Sequence, residues 1–175
     1  MPVFSFEGKS PVIHPDAFVA PTATIVGDVT IEEGASVWYG AVIRADYSPV
    51  IVRRGANVQE NSLLHGPPDT LTEIGPGATV AHLCVVHGAI IGEQALIANG
   101  STVLDGARIG ARSLIAAHSL VAAGADIPPG VLAAGSPAVV KRALAGTPAE
   151  WWVQMNPPAY ADLARRHKYG TTRLD

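Results

Sequence analysis

The chain has 175 residues, with 12 Lys+Arg against 15 Asp+Glu and a formal net charge of −3. Hydrophobic residues make up 48% and charged ones only 15%, which argues against disorder and allows one domain with a real core and a short appendage. Without a Lys/Arg cluster or an apolar run near eighteen residues, neither nucleic acid nor a membrane is an expected partner.

The opening residues, Met1-Pro2-Val3-Phe4-Ser5-Phe6-Glu7, carry no basic region and no long apolar stretch, so no signal peptide is expected. The single cysteine, Cys84, has no internal partner and fits a reducing compartment, so a cytoplasmic protein is expected. Residues 1–12 read as a lead-in.

From Ile13 a branched aliphatic recurs every sixth residue: Ile13, Val19, Ile25, Ile31, Val37, Ile43. The phase slips by three around Asp46-Tyr47-Ser48-Pro49 and resumes at Val52, Val58 and Leu64. It slips by four across Gly66-Pro67-Pro68-Asp69-Thr70 and resumes at Ile74, Val80 and Val86. One residue is skipped before Ile91, Ile97, Val103, Ile109, Ile115, Val121 and Ile127. In this last run a small residue follows four places after each aliphatic up to Val121, from Ala95 and Ser101 to Ala125. Neither a helical period nor plain alternation produces this spacing. It predicts an all-β solenoid over 13–135, with one very short strand per hexad and three hexads per triangular coil. About six coils would be stacked at the ~4.8 Å strand spacing.

After Ile127-Pro128-Pro129-Gly130 the repeat fades, and Gly135-Ser136-Pro137-Ala138 reads as an exit turn. The remainder, 136–175, reads as a helical tail. Thr147-Pro148-Ala149-Glu150 has capping-box spacing with proline at the first helical position. Pro157-Pro158 should interrupt the helix. Ala159 to about Tyr169 can resume it, with Tyr160, Leu163 and His167 on one face and the whole tail lying along the prism.

With Ile43 on a side called a, Val52 falls on side b and Val58 on side c, and the order repeats. Arg44, His65 and His87, each following a side-a aliphatic, then form one vertical column. Glu60 and His82 form a second column on side c. His65 and His87, one strand spacing apart, can face a common ion. A lone histidine on such a face is more often a hydrogen-bonded surface residue, but two in one column favour a shared ion. His82 is five residues from His87 but separated from it by a corner. A three-fold assembly would bring side c of one copy against side a of the next and supply it as a third ligand. Three neutral imidazoles with an open fourth position suit a catalytic metal that activates water. His14, His118 and His167 lie outside these columns, and Cys84 falls where small packing residues belong.

Arg44-Ala45-Asp46, then Asn57 to His65, then His82-Leu83-Cys84-Val85-Val86-His87-Gly88 resemble the γ-class carbonic anhydrases and their bacterial homologues. The resemblance runs through Leu104-Asp105-Gly106-Ala107 to the tail. It implies a left-handed parallel β-helix and a homotrimer with a metal at each subunit interface. It also implies metal-bound hydroxide converting CO2 reversibly to bicarbonate. It assigns His65 and His87 to one subunit and His82 to its neighbour, with Zn2+ as the ion and Fe2+ or Co2+ as alternatives. Arg44 and Asp46 match an inter-subunit ion pair, Gln59 a residue that orients the hydroxide, Asn57 a polar residue near the pocket, and Tyr160 a tail tyrosine approaching the metal. Glu60 stands where the family usually has Asp, Ala81 where it has Gly, and Asn99 where an apolar residue is frequent. The short break after Leu64 offers only Asp69, with Glu73 nearby, in place of an acidic proton-shuttle loop. Two other classes stay open: a hexapeptide-repeat acyltransferase or acyl-CoA thioesterase, and a non-catalytic metal-binding scaffold.

Overall fold

Hexads with one inward aliphatic dictate what the computed structural model of residues 1–175 shows. Strands of mostly two or three residues wind a three-sided parallel β-solenoid of about seven turns, closed by one C-terminal helix. It matches the hexapeptide-repeat left-handed β-helix. Face a stacks Ile25, Ile43, Leu64, Val86, Val103 and Val121 in register. Face b stacks Ile13, Ile31, Val52, Ile74, Ile91, Ile109 and Ile127. Face c stacks Val19, Val37, Val58, Val80, Ile97 and Ile115. Every aliphatic of the repeat therefore occupies its expected column, and most are fully buried. Burial of each such side chain is worth about 1.5–3 kcal/mol.

The solenoid exceeds the expected six coils at both ends. In the lead-in, Val3–Phe4 pairs with Ile25 and Val26 on face a, and Ala133 continues face c beyond Ile115. Strands Thr24–Ile31 and Val42–Val52 run across the a–b corner and join those two faces into one sheet. Other corners are tight. The residue three after the aliphatic takes a left-handed φ of 54–71°, as at Gly34, Gly55 and Gly106 and also at Asn61, Leu83, Gln94, Arg112 and His118. The small residue one place further on is where the backbone of the next coil approaches. There Ser62 donates to the Ala81 carbonyl at 2.6 Å and accepts from the Cys84 amide at 3.0 Å. Ser101 and Ser113 repeat the device. Cys84 packs at such a corner, and burial pushes its thiol up to about 11.

The tail departs from its expected form in two ways. Residues Ala138–Ala143 are a strand, antiparallel to Val131–Gly135, so the helical part begins later. The helix α1 (Pro148–Gly170) then runs unbroken through Pro157 and Pro158. Packing on both sides of the prolines explains this. Val153 is buried with Leu96 and Leu144, and Pro157 lies over Gly77. Tyr160 meets Trp38 edge-on at 5.4 Å, and His167 bonds the Tyr39 hydroxyl at 3.0 Å. Anchored to face c before and after the prolines, the helix tolerates the backbone bonds they remove. The cap is as the sequence indicates, with Thr147 accepting from the Glu150 amide. No helix is long and apolar enough to cross a membrane.

On face b, Arg53 bridges Glu32 and Glu73 at 2.8 Å each, linking three successive coils. The Arg53 hydrogen bond, aided by the Arg54 amide and opposed by partial burial, holds the Glu32 carboxyl below its ordinary 4.5. Its folded value being depressed, the stabilisation is present above the ordinary value and disappears as pH falls through the folded one. Glu32→Gln should therefore lower Tm at pH 7, with the deficit shrinking as the pH falls below the ordinary 4.5; a constant deficit across a pH series of melts would refute the assignment. Ile97→Ala, in mid-stack, should cost about 2–5 kcal/mol in urea unfolding, whereas Val12→Ala at the exposed edge should stay within about 0.5 kcal/mol.

Candidate functional site

All three phase slips of the repeat fall at one corner. The steps from Ile43 to Val52, from Leu64 to Ile74 and from Val86 to Ile91 each lead from face a to face b, on three successive coils. The two insertions stack on one another there. Ser48 donates to the Pro67 carbonyl at 2.8 Å and accepts from the Thr70 amide at 3.1 Å. Beneath them, Thr72 donates to the His65 carbonyl at 2.9 Å and accepts from the Gly88 amide at 3.1 Å. His65 and His87 sit in this reinforced corner on directly paired strands.

Their rings approach closely, with His65 Nδ1 3.0 Å from His87 Nε2. The remote nitrogen of each is held by a carboxylate: His65 Nε2 lies 2.9 Å from Asp46, and His87 Nδ1 bonds Asp105. A carboxylate accepts, so each remote nitrogen carries the hydrogen. In neutral rings the facing nitrogens are then two lone pairs in contact, a repulsive arrangement until a cation lies between them. A tetrahedral ion at about 2.0–2.1 Å from both nitrogens needs them about 3.3 Å apart, an opening of a few tenths of an ångström. The donor set, imidazoles backed by carboxylates, is of a kind that fits a transition-metal ion.

Arg44 and Asp46 pair with each other within the chain. Partial burial raises the Asp46 carboxyl, but hydrogen bonds from His65 and Arg44 outweigh it and hold the group below the usual carboxylate range. Both residues are thus brought to the histidine pair. Asp69 is exposed on the inserted loop, whereas Glu73 is committed to Arg53 on face b.

The remaining predicted residues gather elsewhere, around the c–a corner and under α1. His82 Nδ1 bonds Glu60 at 2.7 Å, with both side chains partly exposed. No group of three potential ligands assembles within the single chain. Next to His82, Leu83 is 64% exposed in a left-handed conformation, unusual for a bulky side chain. Burial, with Glu60 nearby, pushes the Tyr160 phenol above its ordinary value. Gln59 and Asn57 are buried in a directional chain. Gln59 donates to Asn57 at 2.9 Å, Asn57 to Thr79 at 2.8 Å, and Thr79 to Asn156 of α1 at 2.9 Å. His14, His118 and His167 belong to neither group.

Sequence reasoning passed over Thr79, Asn156 and the partner of His87. Asp105 appears in the sequence only as part of a family-like segment. Register gave only part of the signal: Val103 stacks on Val86, so Asp105 lies on the coil next to His87 but one residue past the position opposite it.

Comparison with known proteins bears on the whole chain. The family model described as bacterial transferase hexapeptide (six repeats) matches residues 10–45 and 88–123, on either side of the two insertions. A carbonic anhydrase of Geobacillus kaustophilus is 45% identical over 81% of this chain and 78% of its own length. The mitochondrial gamma carbonic anhydrase 1 of Arabidopsis thaliana is 36% identical over 91% of this chain, which spans 60% of that longer protein. The carnitine operon protein CaiE of Citrobacter koseri is 40% identical over 95% and 84%. Among solved structures, a putative acetyltransferase of Bacillus cereus superposes with a TM-score of 0.90 at 38% identity, covering 95% of this chain and 96% of that one. Likeness of this extent, on a hexad-repeat solenoid, shows that the chain belongs to the γ-class carbonic anhydrase-like family of hexapeptide-repeat proteins.

Proposed function

We propose that the chain forms a homotrimer that hydrates CO2 reversibly to bicarbonate, at a metal site built from His65 and His87 of one copy and His82 of the next. The observation that carries this reading is the pair of facing imidazole nitrogens, 3.0 Å apart, each ring backed by its own carboxylate. His82, with Glu60 on its Nδ1, offers Nε2 as a third donor of the same kind. Zn2+, or Fe2+ or Co2+ in its place, would lower the pKa of a water there to near 7 and so make a nucleophile for CO2 at neutral pH.

The chain's own residues prepare the site. Asp46 fixes the His65 ring and Arg44 covers its second oxygen, so the charge near the histidines is partly balanced. Gln59, its amide nitrogen committed to Asn57, keeps its carbonyl oxygen as the acceptor for a water proton. With its pKa raised, the Tyr160 phenol stays protonated at neutral pH and available as a donor. The inserted loop offers only exposed Asp69 as a carboxylate relay, so proton export depends on solution buffer.

The resemblance to a putative acetyltransferase supports a second reading, acyl transfer or acyl-CoA hydrolysis. Stopped-flow CO2 hydration and an acyl-CoA panel, run on the same metal-loaded protein, separate the two. Hydration that rises with imidazole buffer concentration and is lost on chelation supports the first reading, and full activity in metal-free protein would sink it. The shared site makes a sharper prediction. His65→Ala and His82→Ala homotrimers should each lose their metal, whereas subunits refolded together should recover about one quarter of the sites, the statistical share of interfaces pairing an intact His65 with an intact His82. No recovery by metal analysis would mean that the ligands do not come from neighbouring copies.

A further inference from the structure

Building on the reading of His87 as a metal ligand, we propose that Asp105 is its positioning residue. By accepting the Nδ1–H of His87, Asp105 sets both the ring orientation and the tautomer that presents Nε2 toward His65. The contact does not follow from ordinary stacking. Val86 pairs with Val103, so regular register places Leu104 opposite His87 and carries Asp105 past it toward the corner. The shortened step from Val86 to Ile91 turns the chain at Gly88 directly after His87. Gly88 adopts φ +56°, and its carbonyl accepts from the Gly106 amide at 2.6 Å, drawing the two coils together beside Asp105.

Gly88 is required for this closeness. A Cβ built there would stand 2.6 Å from Asp105 Oδ1 and 2.9 Å from Pro67 Cδ. The space that the carboxylate occupies exists because residue 88 has no side chain. Asp105 is 47% exposed at its side chain, and its hydrogen-bond partner is His87. A half-exposed carboxylate of this kind adds little to fold stability. Its effect falls on the ring it holds. Asp105 also completes a set: Asp46 backs His65, Glu60 backs His82 and Asp105 backs His87. Outer carboxylates that orient a ligating histidine typically govern metal affinity by 10–100-fold.

The test measures Co2+ affinity of the full chain by competition with a chelator, alongside melting of the metal-free protein. Asp105→Ala should weaken Co2+ binding by about 10–100-fold with little change in Tm. Asp105→Asn, which keeps an acceptor oxygen without the charge, should fall between. Gly88→Ala should reproduce the affinity loss by displacing the carboxylate. A second readout needs no metal: at fixed pH, ring 15N shifts should show His87 as the Nδ1–H tautomer in the parent protein and as a mixture in Asp105→Ala. Wild-type affinity in Asp105→Ala, or an unprotonated Nδ1 on His87 in the parent, would overturn the assignment. Should the parent protein take up no metal at all, the metal reading fails, and the ring shifts still decide whether Asp105 sets the tautomer.

Discussion

The molecule rests on repetition of one contact, an inward aliphatic lying on its equivalent in the coil below while the backbones hydrogen-bond at strand spacing. No single coil encloses a core, so each is stable only between neighbours, and every column must keep its register through the stack. The constraint acts on the inward position alone. Outward positions are free, and a residue placed just after an inward aliphatic is carried to a predictable height on a predictable face. That is how Arg44, His65 and His87, far apart along the chain, come to share one column.

A regular solenoid has three equivalent corners and no reason to concentrate chemistry at any of them. Here the regularity is broken at one corner on three successive coils, twice by insertion and once by deletion. The insertions bring Asp46 to His65 and build the Ser48 and Thr72 contacts that brace the corner. The deletion brings Gly88 beneath Asp105. Each departure from the hexad is compensated by hydrogen bonds between the departing segments, which lets the columns resume above it. The His65–His87 pair sits where the repeat is broken.

The two halves of the candidate site have different mechanical settings. The His65–His87 pair is held by strands and carboxylates within the prism corner. The His82–Glu60 pair is more open, next to a strained and exposed leucine, and Gln59 and Asn57 behind it are locked through Thr79 to the helix. The tail is therefore part of the site's framework: α1 covers face c and ends a polar chain that begins at Gln59. Its two prolines are carried by that packing, because side chains on both flanks are anchored to the same face.

The columns, the corner positions, the histidine register and the helix cap were legible in the amino-acid order, because each depends on short-range spacing and on what a buried position accepts. So was the family, through residues ordered like those of the γ class. Three-dimensional folding alone decided that Ala138–Ala143 pairs as a strand, that α1 continues through Pro157 and Pro158, and that Asp105 reaches His87. In each case the deciding energy is a contact between segments distant along the chain, or a turn set by a missing side chain, and spacing within one segment does not encode it. Local pattern dictates the coil; only the closed stack determines which neighbours the outward side chains meet.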